Sequence, residues 1–230
     1  MRNKIKIYHC SDTHGYHKHL KIPDETIDVM VFTGDESNYR LPKLNESEFI
    51  DFINWYAEVP VQNKIMIAGN HSSILFTREK WARKEIEDRG IIYLNKESIT
   101  LHGLKFYGDP TSPRFGDWCF MSDRNKIKKH WEFIPKDTDI LLTHTPPKGI
   151  LDLTKNRDNN LEMCGCSSLG NKIKELPKLR LNCFGHIHNV QGITNTGLRV
   201  VDKVIYSNAA AVTDLEFDKG ITFNGNMIEL

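Results

Sequence analysis

Five short polar clusters in this 230-residue chain contain residue types that bind divalent metal ions in enzymes. In chain order they are Asp12-Thr13-His14, Gly34-Asp35, Gly69-Asn70-His71, Thr143-His144 and Gly185-His186-Ile187-His188. Together they offer two carboxylates, one amide oxygen and at least four imidazoles. This mixture suits manganese, iron or zinc and is too rich in nitrogen for calcium or magnesium alone. Phosphoester hydrolysis is a reaction that gains from two such ions about 3.5–4 Å apart, because they polarise phosphoryl oxygens and generate hydroxide near neutral pH.

Every cluster lies just after a segment that the sequence predicts to be a β-strand. These segments alternate apolar and polar residues or form short apolar runs, and each one stops at polar residues. The predicted strands span residues 4–9, 27–33, 64–68, 139–143 and 181–184. Ligand sites in layered α/β folds gather at the carboxyl ends of strands. The sequence therefore predicts that one site is assembled from all five clusters.

Helices are predicted between these strands. Asn45, with Glu48 three residues later, resembles a capping box, and a helix is expected to follow because an apolar stripe comes next, formed by Phe49, Phe52, Ile53 and Tyr56. Further helices are predicted over residues 78–89, ended by Gly90, and over 123–133 and 167–176. Residues 91–107 predict antiparallel strands, 109–117 a proline-rich loop, and 190 onward a β-rich tail. The expected class is α/β with antiparallel additions, in a single domain over residues 1–230.

The charge balance disfavours a nucleic-acid-binding protein. Lysine and arginine total 31 against 30 aspartate and glutamate, which gives a net charge of +1 and no broad field to hold a phosphate backbone. No apolar run reaches the roughly 18–20 residues of a membrane span. The number of cysteines, five, is odd, which favours reduced thiols in a cytosol-like compartment. The first residues lack the apolar centre of a signal peptide. We expect a cytoplasmic protein without membrane attachment or strong nucleic-acid binding, and its oligomeric state stays open.

The ordered motifs Asp-x-His, Gly-Asp, Gly-Asn-His, His and Gly-His-x-His resemble those of the calcineurin-like metallophosphoesterase superfamily. The resemblance reaches from Asp12 to His188. Four longer segments, 67–71, 138–147, 184–188 and 207–210, are similar to a narrower group, the cyclic-nucleotide-type metallophosphoesterase-domain proteins. The resemblance implies a layered sandwich of two mixed β-sheets flanked by helices.

The resemblance also implies a role for each matching residue. The first of two divalent transition-metal ions would be held by Asp12, His14 and His188, and the second by Asn70, His144 and His186. Asp35 would bridge both ions, and a bridging hydroxide would attack phosphorus in line. His71 would stabilise a phosphoryl oxygen or protonate the departing alkoxide. Of manganese, iron and zinc, manganese is the ion expected to support activity in vitro.

The implied activity is hydrolysis of a small phosphodiester, of which cyclic nucleotides are the expected example. A phosphomonoesterase or nuclease on the same site is the alternative, and a protein-binding scaffold on this fold is an alternative of a different class. Two departures from the family pattern bear on the activity. Ser72 follows His71 where many relatives carry an acidic residue, and Gly34-Asp35 continues as Glu36-Ser37-Asn38, unlike the protein Ser/Thr phosphatases.

Three other groups of residues have open roles. The segment Tyr16-His17-Lys18-His19 fits either ordinary packing or a position near the metals. In the proline-rich loop, Arg114, Phe115 and Trp118 fit either surface packing or substrate contact. Asn208 lies in a short polar break and fits a turn residue better than a catalytic one.

Overall fold

The computed structural model describes residues 4–156, 158–213 and 219–230. Its strands in chain order are β1 Lys6–Cys10, β2 Val29–Phe32, β3 Asn63–Met66, β4 Ile92–Tyr93, β5 Glu97–Leu101, β6 Leu104–Asp109, β7 Ser112–Pro113, β8 Met121–Ser122, β9 Ile140–Thr143, β10 Leu153–Lys155, β11 Leu161–Met163, β12 Leu181–Phe184, β13 Gly197–Val201, β14 Val204–Asn208 and β15 Asn226–Glu229. Its helices are α1 Pro42–Glu58, α2 Ser73–Thr77, α3 Glu79–Glu87, α4 Lys128–Trp131 and α5 Ser167–Ile173, with a 3₁₀ turn over His17–His19.

Two mixed sheets form the centre of the fold. The first has the strand order β15-β1-β2-β3-β4, in which only β15 runs antiparallel to its neighbour. The second has the order β13-β14-β12-β9-β6-β5, with antiparallel pairs at its two edges and parallel pairs inside. Parallel strands are short apolar runs because both of their faces are covered, as β2, β9 and β12 illustrate.

The two sheets pack face to face. Along β1 and β2, every second side chain points toward the second sheet, and Ile7, Val29 and Val31 join Ile140 and Leu181 in one buried apolar cluster. The alternate side chains point the other way, toward α1–α3. A third cluster joins the outer face of the second sheet to α4 and α5. The predicted sandwich of two mixed sheets flanked by helices is confirmed.

His9 is a polar link between the sheets, close to the predicted site. It lies on β1 and is fully buried, with Nδ1 2.7 Å from Oγ of Ser207 on β14 and Nε2 2.9 Å from Oγ1 of Thr33. Burial lowers its pKa to about 3, so the ring is neutral at physiological pH. A neutral imidazole between two hydroxyls ties the two sheets together without burying a charge.

The capping box predicted at Asn45 and Glu48 is wrong. Helix α1 begins at Pro42, whose fixed φ suits the first turn, so Asn45 already lies inside the helix. Its Nδ2 instead donates to the carbonyl of His71 at 2.8 Å. The apolar stripe after it is buried as predicted, at Phe49, Phe52, Ile53 and Tyr56.

Other predicted elements differ in extent. Within 123–133 the α-helix covers only Lys128–Trp131, after turns. Within 91–107, β5 and β6 are antiparallel as predicted, but β4 pairs parallel with β3. The proline-rich loop contains β7, which pairs with β8. Short elements are missed because their pairing partners, rather than local periodicity, determine them. In the described parts of the chain, no helix has both the length and the apolar character needed to cross a bilayer.

Of the two roles left open for His17, the structure places it in the packing of the helices. Its ring contacts Phe52 and Trp55 at centroid distances of 5.4 and 5.2 Å, and its Nε2 lies 3.2 Å from Oδ2 of Asp51. Burial lowers the pKa of His17 to about 4, although Asp51 acts in the opposite direction. The charged form is therefore disfavoured in the folded protein.

We expect the His17→Phe variant to lose less stability than wild type as the pH falls from about 6.5 to about 4. The unfolded chain takes up a proton on histidine below pH about 6.5, whereas folded His17 resists protonation until pH about 4. Stability is therefore lost as pH falls through this window, by on the order of 2–3 kcal/mol. Urea unfolding at pH 7, 5.5 and 4 with a chelator present measures it. Parallel curves for wild type and variant would contradict the assignment.

Candidate metal centre

The carboxyl ends of both sheets meet at one place, and the predicted ligands lie there. Asp12, Asp35 and Asn70 follow the parallel strands β1, β2 and β3 of the first sheet. His144 and His186 follow the parallel strands β9 and β12 of the second. Because the sheets face each other, the loops after these strands converge. The sequence-predicted residues form three overlapping groups, each with ligand atoms within 4.8 Å of one another.

The first group consists of Asp12, His14 and His188. The carboxylate of Asp12 is fully buried, and its Oδ1 lies 3.2 Å from Nε2 of His188. Both carboxylate oxygens also accept from the backbone N–H of His186 at 3.0 Å. Two histidines and one carboxylate are a donor set that divalent transition metals accept.

The second group consists of Asp35, His144 and His186, with Asn70 beside it. Nδ1 of His144 lies 2.8 Å from the carbonyl of Thr33, which can only accept, so this nitrogen carries the proton. Nε2 of His144 lies 3.0 Å from Oδ1 of Asn70 and 3.2 Å from Oδ2 of Asp35. A neutral His144 therefore points a lone pair at two other acceptors. Such a buried cluster needs a proton or a cation at its centre, so the residues fit a metal ion.

Asp35 lies between the two groups. Its Oδ2 is 3.2 Å from Nε2 of His144 in the second group and 3.9 Å from Nε2 of His14 in the first. Its Oδ1 accepts from the backbone N–H of His71 at 2.7 Å. That hydrogen bond fixes the carboxylate plane and leaves the other oxygen directed at both groups.

The electrostatics of the site suit cation binding. Burial lowers the pKa of His14 and of His186 to about 3, so both rings are neutral at physiological pH, as metal ligands must be. Burial opposes ionisation of Asp12, but the hydrogen bond from His188 and the charges of nearby histidines outweigh it and lower its pKa to about 2. Burial likewise disfavours a charged His144, yet Asp35 outweighs it and raises the pKa of His144 to about 9. The second group thus attracts positive charge.

His71 lies at the rim of the site. Its Nδ1 is 3.1 Å from the carbonyl of Asn38 and so carries the proton of that hydrogen bond. Its ring stacks on Trp118 at 4.3 Å and meets the ring of His14 edge-on at 4.7 Å. His71 also forms a group with His14 and Asp35 that could hold an ion. It is therefore next to the candidate metal ligands, in a fixed orientation.

The chain adopts unusual backbone conformations to place these side chains. Four site residues have positive φ: Asp12 at 51°, His14 at 45°, Asp35 at 58° and His186 at 67°. Such conformations cost energy in non-glycine residues and concentrate at functional sites. Glycine is needed at position 185 for a steric reason, because a Cβ there would overlap the carboxylate of Asp12 and the hydroxyl of Ser11. Glycine thus lets the backbone of the Gly185–His188 segment approach Asp12 closely.

Sequence reasoning missed the role of several buried asparagines that hold the ligand loops. Asn45 accepts from the N–H of Ile74 at 2.9 Å while donating to the carbonyl of His71. Asn208 donates to the carbonyl of Ile187 at 3.0 Å, and Asn195 donates to the carbonyl of His188 at 2.8 Å. Asn208 was expected as a turn residue, and the structure shows it bracing the loop between two histidines. No local signal reveals these contacts, because their partners lie far along the chain.

A buried carboxyl group accompanies Ser72. Glu36 is fully buried, and the hydroxyl of Ser72 donates to its Oε2 at 2.6 Å. The oxygen of Ser72 in turn accepts from the N–H of Gly69 at 2.9 Å. Burial raises the pKa of Glu36 to about 7. Glu36 therefore places a buried carboxyl group beside the turn that follows His71.

The site opens into a cavity of about 370 Å³. Its lining is formed by His14, Asp35, Asn70, His71, Pro113, Phe115, Arg124, Cys164, His186, Ile187 and His188. This volume lies within the range of small-molecule sites. A wider groove of about 770 Å³ runs along α5 and contains none of the predicted ligands. The predicted ligands therefore open onto the smaller cavity.

Comparison with known proteins agrees with this geometry. The family model described as calcineurin-like phosphoesterase matches residues 5–190. The chain belongs to this family. It is 31% identical over 226 residues to the human and mouse metallophosphoesterase domain-containing protein 1, covering 88% of this chain and 65% of each relative. It is also 31% identical over 210 residues to a UPF0046 protein of Caenorhabditis elegans, covering 85% of this chain and 73% of that one.

A solved crystal structure extends the comparison to the fold. It superposes on 99% of this chain and 98% of its own with a TM-score of 0.65, at 14% identity. At that identity the likeness concerns the fold alone. The chain spans just under two thirds of the length of the human and mouse relatives.

We expect Gly185→Ala to disrupt the site through Asp12. The added methyl group would displace the Asp12 carboxylate from the N–H of His186, which predicts a loss of about 1–3 kcal/mol of unfolding free energy in metal-free protein. Gly170→Ala is the matched control, because its Cβ would meet only Pro147, at 3.7 Å, within α5. Urea unfolding with a chelator measures both variants. Equal stability of the two would contradict this role for Gly185.

Proposed function

We propose that this protein is a two-metal phosphodiesterase that hydrolyses small phosphodiesters of the cyclic-nucleotide type. The observation that carries the proposal is the position of Asp35 between two groups of buried metal-binding side chains. One carboxylate oxygen within 3.2 Å of His144 and 3.9 Å of His14 is what a bridging ligand of a two-metal site needs. In this proposal Asp12, His14 and His188 hold one ion, and Asn70, His144 and His186 hold the other.

When bound, the two divalent ions supply Lewis acidity toward phosphoryl oxygens and activate water as the nucleophile. The residues of the chain position and neutralise these ions. Nδ1 of His144 is anchored by the carbonyl of Thr33, so its ring keeps Nε2 directed into the site. The hydrogen bond from the N–H of His71 keeps Asp35 in place. Manganese is the ion proposed to support activity in vitro, with iron and zinc as alternatives.

His71 is proposed to act on the substrate. With Nδ1 held by the carbonyl of Asn38, Nε2 is the atom left to face a bound phosphoester. A protonated His71 can donate the Nε2 proton to the leaving alkoxide and become neutral, or donate a hydrogen bond to a phosphoryl oxygen. The stack on Trp118 restrains the ring in either case.

The cavity favours a small diester over a long nucleic acid. Among the described residues that line it, Arg124 is the single lysine or arginine, and the whole chain carries a net charge of +1. A nuclease would need a basic track for the backbone. A protein-binding scaffold without activity would not need buried side chains whose lone pairs converge on one point. A cytoplasmic, reducing location is part of the proposal, in keeping with five free cysteines.

We expect manganese-loaded protein to hydrolyse cyclic nucleotides and to lose both metal and activity in Asp35→Asn. The reason is that a bridging carboxylate supports both ions at once. A substrate panel of 2′,3′- and 3′,5′-cyclic nucleotides, a nucleoside monophosphate and single-stranded DNA is assayed beside metal analysis of the purified protein. Asp137→Asn, an exposed aspartate paired with Lys105, is the matched control and should retain two ions per chain.

Three results would overturn the proposal. Asp35→Asn with full metal content and full activity would remove the bridging role. Hydrolysis whose efficiency rises with oligonucleotide length would indicate a nuclease, and turnover of the monophosphate alone would indicate a phosphomonoesterase.

We expect His71→Ala to slow a diester with an alkoxide leaving group by about 10²–10⁴-fold, and a nitrophenyl diester much less. The nitrophenolate leaves as a stable anion and needs no proton. Steady-state kinetics on both diesters with manganese-loaded protein measure the effect, and His19→Ala, an exposed histidine outside the described cavity lining, is the control.

The pattern of losses distinguishes the roles of His71. Equal losses on both diesters would mean that His71 stabilises a phosphoryl oxygen rather than donating a proton. Loss of one metal ion from His71→Ala would mean that His71 is a ligand in the group that it forms with His14 and Asp35.

A further inference from the structure

One wall of the cavity is built from the segment between β7 and β8 rather than from the ligand loops. This segment contacts the predicted site at three points: the N–H of Cys119 donates to the carbonyl of Asn70 at 3.2 Å, Trp118 stacks on His71, and the ring of Phe115 lies 5.4 Å from that of His186. The segment therefore forms a roof over part of the site.

The roof is held firmly from both sides. Backbone hydrogen bonds join Ser112 to Phe120 and Arg114 to Ser122, each at 2.9 Å. The side chain of Arg114 donates to Oδ1 of Asp123 at 2.8 Å. These contacts fix the position of the residues between them, including Phe115.

Phe115 is conspicuously exposed for a phenylalanine held in this way. The residue is 61% exposed, although it lines the cavity together with Pro113 and Ile187. Packing inside the protein therefore does not account for an aromatic ring at this position. An exposed ring beside a phosphoester site is suited to stacking against a planar group of the ligand.

The same cavity also contains a positively charged group that can bind an anion. Arg124 lines the cavity, and its guanidinium donates to the carbonyls of Gly165 and Cys164 at 3.1 and 2.9 Å. Five N–H donors are available on a guanidinium, so these two bonds orient the group and leave others for an acidic ligand. An apolar aromatic face and a cation in one small cavity match a molecule that is both anionic and aromatic.

We propose that Phe115 is the stacking surface for the base of a nucleotide substrate, and that it determines the preference of the site for nucleotide phosphoesters over phosphoesters without an aromatic group. The proposal rests on the proposed phosphodiesterase function and adds the residue that recognises the substrate. Stacking of this kind is made equally in the bound substrate and in the transition state. It should therefore act on KM and leave kcat nearly unchanged.

The test compares two substrates with the same five-membered cyclic phosphate, 2′,3′-cyclic AMP and glycerol 1,2-cyclic phosphate, of which only the first has a base. With manganese-loaded protein, Phe115→Ala should raise KM for 2′,3′-cyclic AMP on the order of 10-fold. The same variant should leave KM for glycerol 1,2-cyclic phosphate unchanged. Phe115→Tyr should behave like wild type because it keeps the ring. Phe133→Ala, a phenylalanine 67% exposed outside the described cavity lining, is the matched control.

Equal losses on both substrates would overturn the proposal, because Phe115 would then shape the roof rather than bind the base. No change on either substrate would overturn it as well. A second readout is independent of turnover: calorimetric binding of AMP and of ribose 5-phosphate to the same proteins. Wild type should bind AMP more tightly, and Phe115→Ala should remove that difference.

Failure of the proposed function is distinguishable from failure of this inference. If wild type hydrolyses neither cyclic phosphate, the proposed function fails, while the preference for AMP over ribose 5-phosphate still decides the role of Phe115. If wild type shows no such preference in binding, base stacking at Phe115 is wrong whatever the site hydrolyses.

Discussion

The structure depends on the burial of two carboxylates, Asp12 and Asp35, at the meeting point of two sheets. An isolated buried carboxylate is costly, so each one must be compensated by hydrogen bonds and positive charge. The backbone N–H groups of His186 and His71 supply the hydrogen bonds. The histidines around the two carboxylates form groups with them that could hold cations. The left-handed backbone at Asp12 and Asp35 and the glycine at 185 let these groups come together.

The buried carboxylates require unfavourable backbone conformations and additional hydrogen bonds in the loops around them. Left-handed backbone at Asp12, His14 and Asp35 is unfavourable for residues with side chains and persists because neighbouring contacts enforce it. A set of buried amides, among them Asn45 and Asn208, satisfies the loop carbonyls that regular secondary structure leaves unpaired. The loops that carry the candidate ligands are thereby held in fixed conformations.

Much of the site could be predicted from sequence because its signals are local. A short apolar run that stops at Gly-Asp or Gly-Asn-His shows both the strand and the polar residue at its end. The same local patterns predicted the apolar stripe of α1, whereas the sandwich of two mixed sheets was implied by the family resemblance. They failed at Asn45, where a good cap residue lies inside a helix that Pro42 had already begun, and at α4, whose short length depends on packing around it.

By itself, the sequence determined which residue types follow which strands, and hence the family and the chemistry available to it. Only the tertiary structure decided that Glu36 serves the turn at Ser72, 36 residues away, and that His17 packs among aromatic rings instead of near the ligands. It also decided that Phe115 roofs the cavity. The physical reason is that periodicity and turn chemistry act over a few residues, whereas these contacts arise where distant loops converge at the edge of two packed sheets.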